Sequence, residues 1–158
     1  MLLNTVLACA AIFVILYAIH TQEATTATRI PLVSQALRWY SWGKHILPTR
    51  GIIPVIITGR SSGIVAFRAK ELGIDELYQG VSDKEAVMRQ VAQKYSASLD
   101  EIAYIGDDVN DLACMKLCGL AACPQDAVEK VREHVDLITS KPGGHGAVRE
   151  LIDFLSNH

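Results

Sequence analysis

From Gly51 onward the chain alternates short apolar runs with stretches whose apolar residues recur every three or four positions. Ile52–Ile57 is a β-branched run with Pro54 near its start, and it predicts a strand. Thr58-Gly59-Arg60-Ser61-Ser62 follows as a turn rich in helix-capping residues. Ile64–Leu72 then carries apolar positions at helical spacing until Gly73, which is placed to end the helix. Leu77-Tyr78 reads as a short strand. Ser82-Asp83-Lys84-Glu85 opens a second helix, with Ser82 and Glu85 as a capping box and Val87, Met88, Val91 and Ala92 as its apolar side. The pattern then predicts strands at Ile102–Ile105, Leu120–Cys123 and Val135–Ile138, and helices at Val109–Leu117, Ala127–Glu133 and Ala147–Leu155. Repeated β-α units of this length imply an α/β fold, a Rossmann-like parallel sheet with helices on both faces.

The first third does not join this alternation. Leu2–Ile19 is apolar apart from Asn4 and Thr5, and its 18 residues sit at the lower limit for a membrane-spanning helix. No Lys or Arg precedes it, so the positive flank of a secretory signal is missing. It reads either as a buried strand or helix, or as a membrane anchor. Thr21–Thr28 is polar and threonine-rich, and the stretch bearing Trp39, Tyr40 and Trp42 has no clean period. The chain thus divides into an atypical segment, 1–45, and an α/β core, 46–158.

Composition narrows the partners more than the fold. At 158 residues the chain fits one domain with a real core. With a net charge of -2 and scattered basic residues, nothing in it suits nucleic acid. Cys9, Cys114, Cys118 and Cys123 form no CxxC pair and have no histidine at zinc-finger spacing, so they read as reduced thiols of a cytoplasmic protein.

The candidate chemistry lies in three polar loops that this topology brings to one rim: Thr58-Gly59-Arg60, Ser82-Asp83-Lys84 and Gly106-Asp107-Asp108. Tyr104-Ile-Gly-Asp-Asp-Val-Asn-Asp111 sets three carboxylates, Asp107, Asp108 and Asp111, directly after an apolar run. Oxygen ligands with nothing softer nearby suit Mg²⁺, held by one or two carboxylates, waters and substrate phosphate. A hydroxyl, an ammonium and metal-holding carboxylates are what phosphoryl transfer requires, because its catalysis is mostly positioning and charge neutralisation. Taken singly, Thr58 and Ser61 suit helix caps, Lys84 a solvated first-turn residue, and Asp107 and Asp108 helix N-terminal acids.

Residues 51–155 resemble the haloacid-dehalogenase-type phosphatases, most closely the small capless branch acting on 3-deoxy-D-manno-octulosonate 8-phosphate. The segments that carry the resemblance are Ile-Ile-Thr-Gly-Arg-Ser-Ser (56–62), Tyr-Gln-Gly-Val-Ser-Asp-Lys (78–84), Tyr-Ile-Gly-Asp-Asp-Val-Asn-Asp (104–111) and Gly-Gly-His-Gly-Ala-Val-Arg-Glu (143–150). The resemblance implies that Thr58 holds the transferring phosphoryl group and that Lys84 neutralises it. It implies that Asp107 binds Mg²⁺ with Asp108 and Asp111 in support, and that Gly59, Arg60, Gly144 and Arg149 meet the substrate. Arg60 would face the sugar acid's carboxylate, which a guanidinium fork matches. A homotetramer is implied too, with the Gly143 tail reaching toward a neighbouring subunit.

One part of the family pattern is missing. Its first motif, Asp-x-Asp-Gly, supplies the nucleophile and the acid–base carboxylate. Here no Asp precedes Asp75, and Glu23 is the only acid in the first 70 residues. The expectation is a Mg²⁺-dependent phosphatase lineage impaired as written. The alternative is a non-catalytic sugar-phosphate-binding or assembly protein, anchored or not through residues 2–19. One reading of residues 1–45 is an out-of-frame translation: the codons for Phe13-Val14-Ile15-Leu16 and Arg38-Trp39-Tyr40 can be read, in shifted frames, as Cys-Asp-Ile and Asp-Gly.

Overall fold

Parallel pairing puts Ile12–Ile15 in the middle of the sheet. The structure, a computed structural model, describes residues 12–15 and 51–157. Its strands are β1 (Ile12–Ile15), β2 (Ile53–Ile57), β3 (Glu76–Tyr78), β4 (Ile102–Ile105), β5 (Leu120–Cys123) and β6 (Leu137–Ile138). They form one six-stranded sheet in the order β3-β2-β1-β4-β5-β6, parallel throughout. Ile12 is level with Ile53 and Ile102, and Ile15 with Ile56 and Ile105. These four residues, paired on both edges, are therefore strand and no part of a membrane helix. Among the described residues no helix is long and apolar enough to cross a membrane. The sheet thus draws its central strand from the segment set apart as 1–45. The rest of that segment, including Leu16 and the Arg38-Trp39-Tyr40 part of the out-of-frame reading, lies outside the described residues.

Strand side chains alternate between two cores because the pleat has a period of two. Val55, Ile57, Tyr104, Ala121 and Cys123 face one way, onto Met88, Val91, Leu112, Met115 and Val131. Those residues come from α2 (Lys84–Lys94), α3 (Leu112–Met115) and α4 (Glu129–Arg132). Ile52, Ile56, Ala103, Ile105 and Ala122 face the other way. They meet Ala69 and Leu72 of α1 (Gly63–Leu72) and Val148, Leu151 and Ile152 of α5 (Ala147–Asn157). The chain runs outward from β1 to β3, then returns across the sheet to β4. That reversal makes a crevice at the carboxyl ends of β1 and β4, where open α/β sheets bind ligands.

Two local expectations are corrected. α2 is capped by Asp83, not by Ser82: the Asp83 Oδ1 accepts from the Ala86 N–H at 3.0 Å. A carboxylate one residue nearer the helix meets both the free amide and the positive end of the dipole. The helix expected at Val109–Leu117 is a 3₁₀ turn, Val109–Asp111, followed by the single turn of α3. Asp108 and Asp111 cap that turn reciprocally, which tightens it. Gly73 ends α1 as expected, at φ 70°.

Edge strand β3 is fastened to α2 by Glu76. Its carboxylate accepts from the Tyr78 hydroxyl at 2.7 Å, the Tyr95 hydroxyl at 2.6 Å and the Lys94 ammonium. Burial alone would raise its pKa; the donors, Lys94 foremost, outweigh that and hold it below the usual carboxylate value. Glu76→Gln is expected to cost about 1–3 kcal/mol, because the buried carboxylate is the charged acceptor of two half-buried hydroxyls and an exposed ammonium. Urea unfolding checks this, and an unchanged midpoint would remove Glu76 as the fastener.

Candidate functional site

Thr58, the first residue after β2, is buried. Its N–H donates to the Tyr78 carbonyl at 2.9 Å and its carbonyl accepts from the Val81 N–H at 3.0 Å. Its Oγ1 accepts from the Arg60 N–H at 3.3 Å, so the hydroxyl shapes its own loop and does not cap α1. Gln79, in the 78–84 segment but given no role there, accepts from the Ser62 N–H at 2.6 Å and ties this loop to the next. Gly59 and Arg60 are exposed at the rim. Gly80, at φ 68°, makes the turn that lets the two loops meet.

Across β1, the loop after β4 is built around Asp111. This side chain is fully buried, and its Oδ1 accepts from the Lys84 ammonium at 2.7 Å and from the Tyr104 hydroxyl at 2.9 Å. Its Oδ2 accepts from the N–H groups of Asp107 and Asp108, both at 3.2 Å. A carboxylate offers about four acceptor positions. Those of Asp111 are taken, so it holds the loop and Lys84 in place and has little left for a metal. Gly106 makes this possible: a Cβ there would lie 2.5 Å from the Asp111 Cγ. Asp108 is buried and its Oδ1 accepts from the Val109 N–H at 2.7 Å.

Asp107 is different. Its Oδ1 is buried and has no hydrogen-bond partner. Burial above all, and then the charges of Asp111 and Asp108, push its pKa from 3.8 up to about 7. An orphaned carboxylate oxygen beside two more acids is poorly served by protein groups and well served by a cation. Mg²⁺, which is content with one or two protein carboxylates plus water and phosphate, fits this donor set. Among the described residues no group of three His, Cys, Asp or Glu side chains is arranged to hold a metal, so Asp107 would be the principal protein ligand.

The C-terminal glycines are joined to this loop through the backbone. The Val128 N–H donates to the Asp107 carbonyl at 3.1 Å, and Asp126, two residues earlier, accepts from the Gly143 N–H at 2.7 Å. Gly144 is buried in that turn at φ 74°. Arg149 lies further along, on α5, where its Nε donates to Asp153 at 2.8 Å. Cys114, Cys118 and Cys123 are free, and burial raises their thiols to about 11, 12 and 11. Such thiols are not reactive at neutral pH.

A buried lysine–aspartate pair, a threonine loop and an orphaned carboxylate thus gather at the switch point of a parallel α/β sheet, the place where such sheets bind ligands. The chain belongs to the haloacid dehalogenase-like hydrolase family, whose model matches residues 65–151. It is 38% identical over 114 residues to the 3-deoxy-D-manno-octulosonate 8-phosphate phosphatase KdsC of Escherichia coli, covering 72% of this chain. The chain spans 61% of the length of that relative. Among solved structures it is similar to the same phosphatase from Moraxella catarrhalis in complex with magnesium, phosphate and KDO, at 32% identity and a TM-score of 0.75. That likeness covers 99% of this chain and 90% of the other. A Vibrio cholerae structure described as a putative phosphatase of this kind aligns at 29% identity and a TM-score of 0.74, covering 99% and 89%.

Proposed function

We propose that the chain is of a capless Mg²⁺-dependent phosphatase lineage acting on a phosphorylated sugar acid such as 3-deoxy-D-manno-octulosonate 8-phosphate, impaired as written because the Asp nucleophile is absent, and that it is cytoplasmic and homotetrameric. The observation that carries this reading is the orphaned Asp107 oxygen at the switch point, level with the end of β4 and near the buried Lys84. β2 and β4 flank β1, so the Thr58 and Asp107 loops stand two strand spacings apart, about 10 Å. A phosphate seated over β1 reaches both sides. Lys84 spends one ammonium N–H on Asp111, and its other donors suit phosphate oxygens. Thr58, whose own N–H and carbonyl are paired, presents its hydroxyl. Asp107 and, beside it, Asp108 would hold Mg²⁺, which supplies charge neutralisation when bound. Arg60, at the exposed rim, suits the sugar acid's carboxylate, and Gly59, Gly144 and Arg149 would border the substrate.

A second reading rests on the residues just after β1. The sequence there is Leu16-Tyr17-Ala18-Ile19, with no carboxylate to attack phosphorus. On this reading the chain binds sugar phosphates or serves assembly without turning them over. Phosphate release from 3-deoxy-D-manno-octulosonate 8-phosphate with added Mg²⁺ decides between the two. Release above a chain-free control identifies the phosphatase. No release, with Mg²⁺-dependent binding of inorganic phosphate by calorimetry, identifies the binder. Neither response would sink both.

A further inference from the structure

We propose that Tyr104 is a positioning residue of the phosphate site, acting through Asp111. The inference deepens the reading above and rests on it for its ligand. Tyr104 lies on β4 and is fully buried, its ring packed in the core beneath α2 and α3. Its hydroxyl donates to the same Asp111 oxygen that receives the Lys84 ammonium. The phenol is buried, with the neutral Cys114 thiol beside it and the Asp111 oxygen, 2.9 Å away, as its charged acceptor, and this bond fixes the carboxylate's rotation.

The direction of that rotation matters because the two Asp111 oxygens do different jobs. Oδ1 sets where Lys84 stands, and Oδ2 gathers the amides of Asp107 and Asp108. The missing Cβ of Gly106 leaves the space in which the carboxylate lies flat against the loop. Tyr104 thus couples the core to both the ammonium and the turn that aims Asp107. Burial, more than the Asp111 charge, pushes the phenol well above its ordinary pKa, so it stays a donor at any physiological pH.

The test uses Tyr104→Phe in the full chain, with Asp111→Asn as the reference variant. Two readouts are taken: amide NMR shifts, and binding of inorganic phosphate with Mg²⁺ by calorimetry. In Tyr104→Phe the Asp107 and Asp108 amide resonances are expected to move in the direction they take in Asp111→Asn, while those of Ala121 and Ala122 stay. Phosphate affinity is expected to fall about fivefold, the usual worth of one hydrogen bond. A merely structural tyrosine would lower stability and leave both readouts where they were, which overturns the proposal. Moved amides with unchanged phosphate affinity overturn it as well. If the wild-type chain binds no phosphate, the functional reading fails, and the amide shifts alone decide whether Tyr104 positions the loop.

Discussion

Lys84→Met is expected to destabilise the chain by about 3–5 kcal/mol and to abolish phosphate binding. The stability loss comes from burial: Lys84 is 8% exposed and Asp111 0%, with 2.7 Å between ammonium and carboxylate. Removing the lysine leaves the Asp111 charge in the core with a phenol and two amides, but without its counter-ion. Against a total stability of roughly 5–15 kcal/mol, that is a large fraction. The double variant Lys84→Met, Asp111→Asn removes both charges and is expected to recover at least half of the lost stability, since replacing a whole buried pair is often close to neutral. Phosphate binding is not expected to return with it, because the site still lacks its cation. Urea unfolding gives the first quantity and calorimetry with inorganic phosphate the second. A single-variant loss under about 1 kcal/mol would mean that water reaches this pair. Salt should barely change the result, since screening acts weakly on a pair held away from solvent.

The parts of this fold that the sequence makes plain are those decided locally. β4 and β5 match their expected limits because each is a short apolar run closed by Gly106 or Pro124. α1 ends at Gly73 because only the left-handed conformation at φ 70° serves there. A buried strand is one reading of the run Leu2–Ile19, but its limits at Ile12 and Ile15 are not legible, since the run has no period to show where pairing starts or stops. What decides it is the pairing with Ile53 and Ile102, far away in the chain.

The site divides in the same way. Thr58, Lys84 and Asp107 stand out because each follows a strand in an alternating pattern. Asp111, four residues beyond Asp107, has the spacing of either a metal ligand or an internal anchor. Its four hydrogen bonds depend on Tyr104, Lys84 and the gap at Gly106, and spacing carries none of that. Tyr104 reads only as one more apolar position in a buried strand. Gln79 reads only as a polar loop residue, although its Oε1 holds the threonine loop.

Without Mg²⁺, the chain is expected to lose stability as pH rises from about 4 to 7, and the loss traces to Asp107. In the unfolded chain this carboxyl ionises near 3.8, and in the fold burial and the charges of Asp111 and Asp108 raise it to about 7. Between those values the folded state binds the extra proton, so stability is greatest below the unfolded pKa and declines until pH passes the folded one. A rise of that size corresponds to about 4 kcal/mol. Glu76 acts with the opposite sign and below its ordinary 4.5, so it leaves this window nearly undisturbed. A divalent cation competes with that same proton, so Mg²⁺ affinity should climb about tenfold per pH unit up to 7 and then level off. The stabilisation that Mg²⁺ confers therefore grows across the range in which the metal-free chain weakens. Asp107→Asn, which cannot ionise, should remove both trends, leaving stability flat from pH 4 to 7 and blind to Mg²⁺. Urea midpoints at pH 5, 6, 7 and 8, with chelator and then with Mg²⁺, measure the two slopes together. A metal-free chain equally stable at pH 5 and 7 would mean that Asp107 ionises freely, and the orphaned oxygen would no longer argue for a cation.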